Sequence, residues 1–175
     1  MDDAAQEPFR LPPSAFPRLP REIRDELTRR GCTIPQAGHP KLHRPPPHNV
    51  ITGKFQKSGQ TDWAVLCSVK QRSAVLVFWS GSAQTVDQIE DFAPDQRHLE
   101  LIPRDRGSGE GNFSYARRIG PVSREQILRY DNAFGGMEPL PDPIDHKGTE
   151  DSFLGKGSVI HYHHQGRWHR LVGMD

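Results

Sequence analysis

The sequence predicts an α+β fold in which a largely antiparallel sheet of about five to seven strands is covered by two helices. Two short apolar runs, residues 63–69 and 74–79, have the length and the β-branched and aromatic composition of neighbouring strands. Two other segments, residues 19–30 and 123–134, have helical periodicity and helix-end signals. Strands and helices do not alternate along the chain, so nothing indicates a parallel sheet.

The composition indicates a single domain with a modest core. The chain has 175 residues, enough to bury a core without a metal or several disulfides, but only 34% are hydrophobic. Its 16 prolines and 16 glycines indicate long irregular connections. The 23 basic and 22 acidic residues leave a net charge of +1, which gives no electrostatic reason to bind nucleic acid. The apolar runs are too short for a membrane span.

Residues 1–18 are predicted to form an extended proline-rich arm in front of a single domain, residues 19–175. Phe9, Leu11 and Phe16 are the side chains that would hold the arm on the domain. The first residues, MDDAAQ, lack the basic start and apolar stretch of a signal peptide. Two interpretations follow: a cytosolic protein, or a mature chain whose leader has been removed.

The first helix is predicted over residues 19–30. Pro20 suits the first helical position and Gly31 suits the residue just past the end. Leu19, Ile23 and Leu27 make one apolar stripe. The following residues 33–48 contain three consecutive prolines and three histidines, His39, His43 and His48. We expect an exposed ordered loop there, because no acidic or thiol ligand accompanies the histidines.

The two apolar runs are expected to be a central hairpin joined by the polar turn 70–73. Both runs are apolar on their alternating faces, which is typical of strands that are covered on both sides.

The lead-in to this hairpin, GKFQKSGQTDWAVL, resembles one FG-GAP repeat of integrin-like propellers, over about residues 51–66. The matching positions are Gly53, Phe55, Gly59, Asp62, Ala64 and Val65. The resemblance implies a strand, a turn and a second strand. It does not imply calcium binding, because Lys57, Ser58 and Gln60 stand where acidic ligands would be needed. A propeller needs several copies, and the sequence contains one.

The elements GCTIPQ and DWAVLCS resemble those of small uncharacterised bacterial exported proteins, a likeness that implies no activity. It favours a disulfide between Cys32 and Cys67, which would close a loop of roughly 35 residues and stabilise the fold by about 3–4 kcal/mol. The alternative is two buried free thiols, since the cysteine count alone does not discriminate.

In the second half, residues 84–102 are ambiguous between a helical turn around Val86, Ile89 and Phe92 and a strand at Leu99–Ile102. A glycine-rich loop is expected over 103–112 and a strand over 113–119. The second helix has the strongest local signals: Ser123 and Gln126 form a capping box, and Gly135 and Gly136 end it.

Two segments near the C-terminus carry histidine and acidic side chains that could bind a metal or act in general base catalysis. Asp145, His146 and Asp151 cluster around a turn, where the alternative is that Thr149 caps a short helix at 150–154. A terminal hairpin, residues 158–172, turns at Gln165–Gly166 and pairs Tyr162 with His169. Its register puts His161, His163, Trp168 and Arg170 on one face. The two histidines have a spacing that zinc-type sites use, but also one that a polar outer face can have.

Three functions remain open. The preferred one is a non-catalytic exported module of the periplasm or extracellular space that binds a protein or a glycan, with an exposed patch built from Trp79, Tyr162, Trp168 and Arg170. It needs no cofactor. The second is a hydrolase with a zinc-type divalent metal held by His161, His163, Asp145, His146 and Asp151. The third is a cytosolic scaffold protein. The sequence contains no nucleophile motif, metal motif or cofactor loop that would favour an enzyme.

Overall fold

The computed structural model describes residues 7–40, 42–103, 111–134, 139–141 and 144–173. Within these ranges the chain forms twelve strands and two α-helices. The helices are α1, Arg21–Arg29, and α2, Arg124–Phe134. The strands of the first half are β1 Arg10–Leu11, β2 Ile34–Pro35, β3 Val50–Gly53, β4 Asp62–Val69, β5 Arg72–Phe78 and β6 Val86–Pro94. Those of the second half are β7 Leu99–Pro103, β8 Gly111–Tyr115, β9 Arg117–Val122, β10 Gly148–Phe153, β11 Gly157–His164 and β12 Arg167–Gly173.

The strands form two four-stranded sheets and two short ribbons, all antiparallel. The first sheet has the order β3-β4-β5-β6 and the second the order β12-β11-β10-β9. The ribbons are β1-β2 and β7-β8. The antiparallel α+β architecture with two helices is therefore confirmed. The expected number of strands is wrong, because the described chain divides twelve strands among four sheets instead of placing five to seven in one.

The body has four layers, in the order α1, first sheet, second sheet, α2. Ile23 and Leu27 of α1 pack in one core with Val65 and Leu76 of the first sheet. Ile127 of α2 packs in another core with side chains of the second sheet. A third core lies between the sheets and joins residues such as Leu66 and Val75 to Tyr115 and Ile119. Each fully buried Leu, Ile or Val contributes roughly 1.5–3 kcal/mol relative to exposure.

Both helices occur where the sequence predicts them. Leu19, Ile23 and Leu27 form the buried stripe beneath α1. At the start of α2 the capping box is present: the Gln126 amide donates to Ser123 Oγ at 3.3 Å, and the Ser123 amide donates to Gln126 Oε1 at 3.1 Å. The glycines expected to end α2 lie outside the described residues.

Several local expectations need correction. The central hairpin turns over two residues, Lys70 and Gln71, both with positive φ, instead of four. The strand expected over 113–119 is two strands, β8 and β9, separated at Ala116. The short helix expected at 150–154 is the strand β10, because this segment pairs with β9 on one side and with β11 on the other. Most of the expected loop 103–112 lies outside the described residues.

Residues 7–18 are attached to the body by pairing and by packing. Strand β1 pairs with β2, and Phe16 is buried in the core beneath α1, whereas Phe9 is exposed. The histidine-rich segment is also less exposed than predicted, since His39 and His48 are buried.

Asn49 joins this region to the second sheet. Its side-chain amide donates to the carbonyls of Pro35 and Arg117, and its Oδ1 accepts from the Ile119 amide.

The turn before β4 is organised by the buried carboxylate of Asp62. This carboxylate accepts hydrogen bonds from the amides of Phe55 at 2.8 Å, Gln56 at 3.2 Å and Ser80 at 2.9 Å. Asp62 therefore satisfies the backbone donors of a tight connection, a task that needs no metal ion. From β3 to β4 the chain forms a strand, a turn and a second strand. The likeness to an FG-GAP unit stays a prediction.

The predicted disulfide is confirmed: Cys32 and Cys67 are bonded and both are buried. The bridge ties the end of α1 to the centre of the first sheet. Among the described residues, no helix combines the length and the apolar character that crossing a bilayer would require.

Candidate binding site between the two sheets

The open side of the sandwich is the place where the edge strands β6 and β12 come together. The indole Nε1 of Trp168 on β12 donates to Asp87 Oδ2 on β6 at 2.9 Å. Further along the two strands, Arg170 Nε lies 3.5 Å from Glu90 Oε1. These two polar contacts connect the edges of the two sheets.

Two tryptophans meet above a buried histidine at this edge. The rings of Trp79 and Trp168 are stacked, with centroids 5.7 Å apart and planes 18° apart. His163 lies beneath them, 4.8 Å from Trp79 and 5.0 Å from Trp168. Both tryptophans are half-buried, whereas His163 is buried. We call Trp79, Trp168 and Arg170 the aromatic rim.

The terminal hairpin has the predicted register. His163 pairs with Trp168, Tyr162 with His169 and His161 with Arg170. Of the four residues predicted for an exposed binding patch, Trp79, Trp168 and Arg170 do share this edge. Tyr162 does not: it is buried on the opposite face of the sheet, packed in the core with Ile127 and stacked on His146 at 4.3 Å. The sequence pattern predicted its face but not its burial.

A cleft of about 680 Å³ lies beside the rim, between the two sheets. Its wall on the first sheet is the end of β6, where Glu90 has a positive φ of 57° and the pairing with β5 is irregular. Its other wall is the inner face of the second sheet. The charged and imidazole side chains that line this cleft include Arg97, His98, Arg117, Asp151, Lys156 and His161.

An ion pair is buried at the base of the cleft. Arg117 Nη2 lies 2.6 Å and Nε 3.0 Å from the two carboxylate oxygens of Asp151. Arg117 Nη1 also donates to Ser73 of the first sheet, to Oγ at 3.0 Å and to the carbonyl at 3.3 Å. Burial opposes the charge of Arg117, but the attraction and hydrogen bonds of Asp151 prevail and raise its pKa. The pair therefore anchors the second sheet to the first.

A second buried carboxylate, that of Asp95, lies directly after β6. Asp95 Oδ2 accepts from Ser68 Oγ at 2.5 Å and from Arg10 Nη2 at 3.0 Å. The hydroxyls of Tyr115 and Ser73 lie 3.5 Å apart, and burial raises the pKa of Tyr115. Asp95 Oδ1, by contrast, is buried and has no hydrogen-bond partner among the described residues, so this structural network is only partly satisfied.

Two imidazoles face the cleft in their neutral form. Burial lowers the pKa of His98 to about 4, with a smaller contribution from Arg117. Burial also lowers the pKa of His161, against the opposing influence of Glu90 and Asp151. At neutral pH both rings therefore carry one N–H donor and one acceptor nitrogen.

The residues predicted for a zinc-type site are not assembled into one. His161 and Asp151 both line the cleft, but His163 lies under the tryptophans and His146 stacks on Tyr162 across the sheet. Asp145 is exposed, 3.9 Å from His146. In the described part of the chain, no three His, Cys, Asp or Glu side chains are grouped so that they could hold a metal ion.

Several residues of the site were missed by the sequence analysis. Asp87, Glu90, Arg97 and His98 all lie in the segment 84–102, whose periodicity is ambiguous. Arg117 was placed only as a member of a strand. No local signal marks these residues, because their partners lie far away in the chain: Asp87 bonds Trp168, and Arg117 bonds both Ser73 and Asp151.

Comparisons of the chain with protein-family models, with curated proteins and with solved structures find no match.

Proposed function

We propose that this chain is a non-catalytic, β-rich binding domain of the periplasm or extracellular space, and that it binds a protein partner through the aromatic rim. The observation that carries the proposal is the stacked pair Trp79–Trp168 at the open edge of the sandwich, with Arg170 on the same strand face. Tryptophan and arginine are the side chains most enriched among residues that dominate the affinity of protein interfaces.

The geometry of the rim supports a preorganised binding surface. Trp168 is oriented by its hydrogen bond to Asp87, and Trp79 is held by stacking on Trp168 and His163. Side chains that are fixed before binding lose little conformational entropy when a partner arrives. Both rings keep part of their surface accessible, which leaves apolar area for a partner to cover.

The location is supported by the buried disulfide. Disulfides persist in oxidising compartments and are rare in reducing ones. The Cys32–Cys67 bond therefore favours a non-reducing compartment over the cytosolic scaffold alternative.

The proposal is tested by photo-crosslinking. Val172 lies on the same face of β12 as Trp168 and Arg170 and is 57% exposed. A benzophenone amino acid at position 172 should give a discrete protein adduct in an extract of the source organism's envelope or culture medium. The matched control places the same group at Leu128, an exposed position on α2 at the opposite side of the body.

The adduct should depend on the rim. Trp168→Ala should weaken capture by about 30-fold, the effect expected of a central interface tryptophan. Equal labelling from positions 172 and 128, or capture that survives Trp168→Ala, would contradict the proposal. An adduct with a second copy of this chain, or binding to immobilised glycans alone, would overturn the choice of a protein partner.

A further inference from the structure

We propose that the cleft between the two sheets is a second binding site, for a small organic molecule that carries a carboxylate or phosphate group. This site would bind a different ligand from the aromatic rim and uses mostly different residues. The proposal holds whether or not the rim binds a protein. One buried imidazole, one half-buried imidazole, the distribution of charge and the size of the cleft support it.

The first observation is His161, which lines the cleft and is only 3% exposed. Within the described ranges its imidazole has no hydrogen-bond or ion-pair partner. Buried polar side chains in folded proteins nearly always have a partner, in the protein or bound to it. A neutral imidazole that reaches into a cleft offers an N–H donor to a ligand oxygen.

His98 provides a second unsatisfied group in the same cleft. Its Nδ1 is buried and has no hydrogen-bond partner in the part of the chain that the structure describes. The ring is held in place by Phe153 at 5.4 Å and Tyr115 at 6.2 Å. His98, which precedes β7, and His161 of β11 thus both line one cavity.

The charges of the lining favour an anion. Asp151 is neutralised by Arg117, and Glu90 lies 3.5 Å from Arg170. Arg97 is exposed and forms no ion pair with any described residue.

Lys156 is also available at the edge of the cleft. It stands 4.2 Å above the Phe153 ring and only 3.8 Å from Glu100, a loose contact at an exposed position. Arg97 and Lys156 can therefore both turn toward a carboxylate or phosphate. Asp91 is the acid in the lining that opposes this, since it has no ion-pair partner among the described residues.

The size of the cleft suits a small molecule. Its volume of about 680 Å³ lies within the range of small-molecule sites, which run from roughly 300 to 1,000 Å³. Its base is rigid, because Arg117 is held by Asp151 and Ser73. Its exposed lining residues, Arg97 and Lys156 among them, leave it open to solvent.

The test uses citrate and inorganic phosphate as probes at neutral pH, followed by NMR of the histidine side chains. We expect saturable shifts of the His98 and His161 imidazole signals with at least one probe. Citrate alone would identify a carboxylate ligand, and phosphate alone a phosphorylated one. His43, which is exposed and outside the cleft, provides the internal reference signal.

Variants decide whether the cleft is the site. Arg97→Gln and Lys156→Gln should each weaken binding by about tenfold, the loss of one charge-assisted hydrogen bond. Asp91→Asn should strengthen it, and Val159→Phe, which fills the cleft, should abolish it. The matched control Arg129→Gln removes an exposed charge from α2 and should change nothing.

The inference is wrong if neither probe shifts the two signals at millimolar concentration. It is also wrong if Arg129→Gln weakens binding as much as Arg97→Gln, because binding would then reflect overall charge and not the cleft. The substitutions at Arg97, Lys156 and Asp91 change exposed side chains and alter no core contact. Their effect on binding can therefore be measured even if Val159→Phe prevents folding.

Discussion

At the scale of single residues, the buried imidazoles connect the fold to pH. Burial lowers the pKa of His48, His98, His161 and His163. A histidine whose pKa is lower in the folded state than in the unfolded state binds its proton more readily after unfolding. Its contribution is therefore neutral above the unfolded pKa, about 6.5, and increasingly destabilising as the pH falls toward the folded pKa. For His98 this window extends down to about 4.

We therefore expect the free energy of unfolding to fall between pH 6.5 and 4, partly because of His98. In His98→Asn this loss should be smaller by about 2 kcal/mol, a value reduced from the full pKa difference because the ring is partly solvated. Urea titrations at pH 7 and pH 4 measure the difference directly. His43→Asn, at an exposed position, should keep the pH dependence of the original protein. An unchanged dependence in His98→Asn would contradict the assignment.

What the sequence can predict at this scale is the face on which a side chain lies. Strand alternation correctly placed His161, His163, Trp168 and Arg170 together. It did not reveal that Tyr162 and both histidines are buried, because burial depends on what covers each face. The covering elements are α2 on one side and the first sheet on the other, and neither is local in sequence.

At the scale of elements, the disulfide is the strongest single tie between α1 and the first sheet. Cys32 follows the helix and its amide donates to the carbonyl of Leu27 at 2.9 Å, which ends the helix. Cys67 lies in the middle of β4, among buried side chains. The cross-link therefore fixes the helix C-terminus over the sheet it covers.

Removing the bridge should cost about 3–4 kcal/mol, since a separation of 35 residues closes a long loop in the unfolded chain. We expect Cys32→Ala combined with Cys67→Ala to lower the unfolding midpoint in guanidinium chloride accordingly. Treating the original protein with a reductant during unfolding should give the midpoint of the double variant. Equal midpoints for the oxidised protein and the double variant would show that the bridge adds no stability.

The elements also show when local signals suffice. Helix α2 begins where the capping box predicts, because Ser123 and Gln126 bond each other's backbone amides. The similar capping signal at Thr149 wrongly predicted a helix, because that segment pairs with a strand on each side. Val86, Ile89 and Phe92 mimicked a helix because the irregularity in β6 interrupts strand alternation: Ile89 packs between the sheets and Phe92 packs in the core beneath α1.

At the scale of the whole molecule, the two sheets are joined by polar as well as apolar contacts. Arg117 reaches from the second sheet to Ser73 in the first, and Asn49 bonds the backbone of β9. Only 7% of the Arg117 side chain and 15% of the Asp151 side chain are exposed. Removing one partner of such a pair leaves an uncompensated charge inside the protein.

Arg117→Ala should therefore destabilise the fold by at least about 3 kcal/mol, measured by chemical unfolding. The double variant Arg117→Met, Asp151→Leu should recover much of this loss, because it leaves no buried charge unpaired. The exposed pair of Arg21 with Asp25, with side chains 87% and 70% exposed, is the matched comparison, and Asp25→Asn should cost less than about 1 kcal/mol. A double variant less stable than Arg117→Ala would contradict this account.

The overall architecture was predictable only in class. Turn signals and strand composition indicated an antiparallel α+β protein, because these properties are local. The division into two sheets was not predictable, since the hydrophobic pattern of a strand shows that a face is covered but not by what. Central strands such as β4 are covered by α1 on one face and by the second sheet on the other.

The arrangement of the cores along the chain has a consequence for the order of folding. Every buried residue of the core beneath α1 lies between Phe16 and Phe78, and both cysteines lie within that stretch. The core beneath α2 is built entirely from later residues, from Val122 to Leu171. The amino-terminal part can thus collapse around its own core and close its bridge before the second sheet has folded. With only two cysteines in the chain, that early bridge has no competing partner within the molecule.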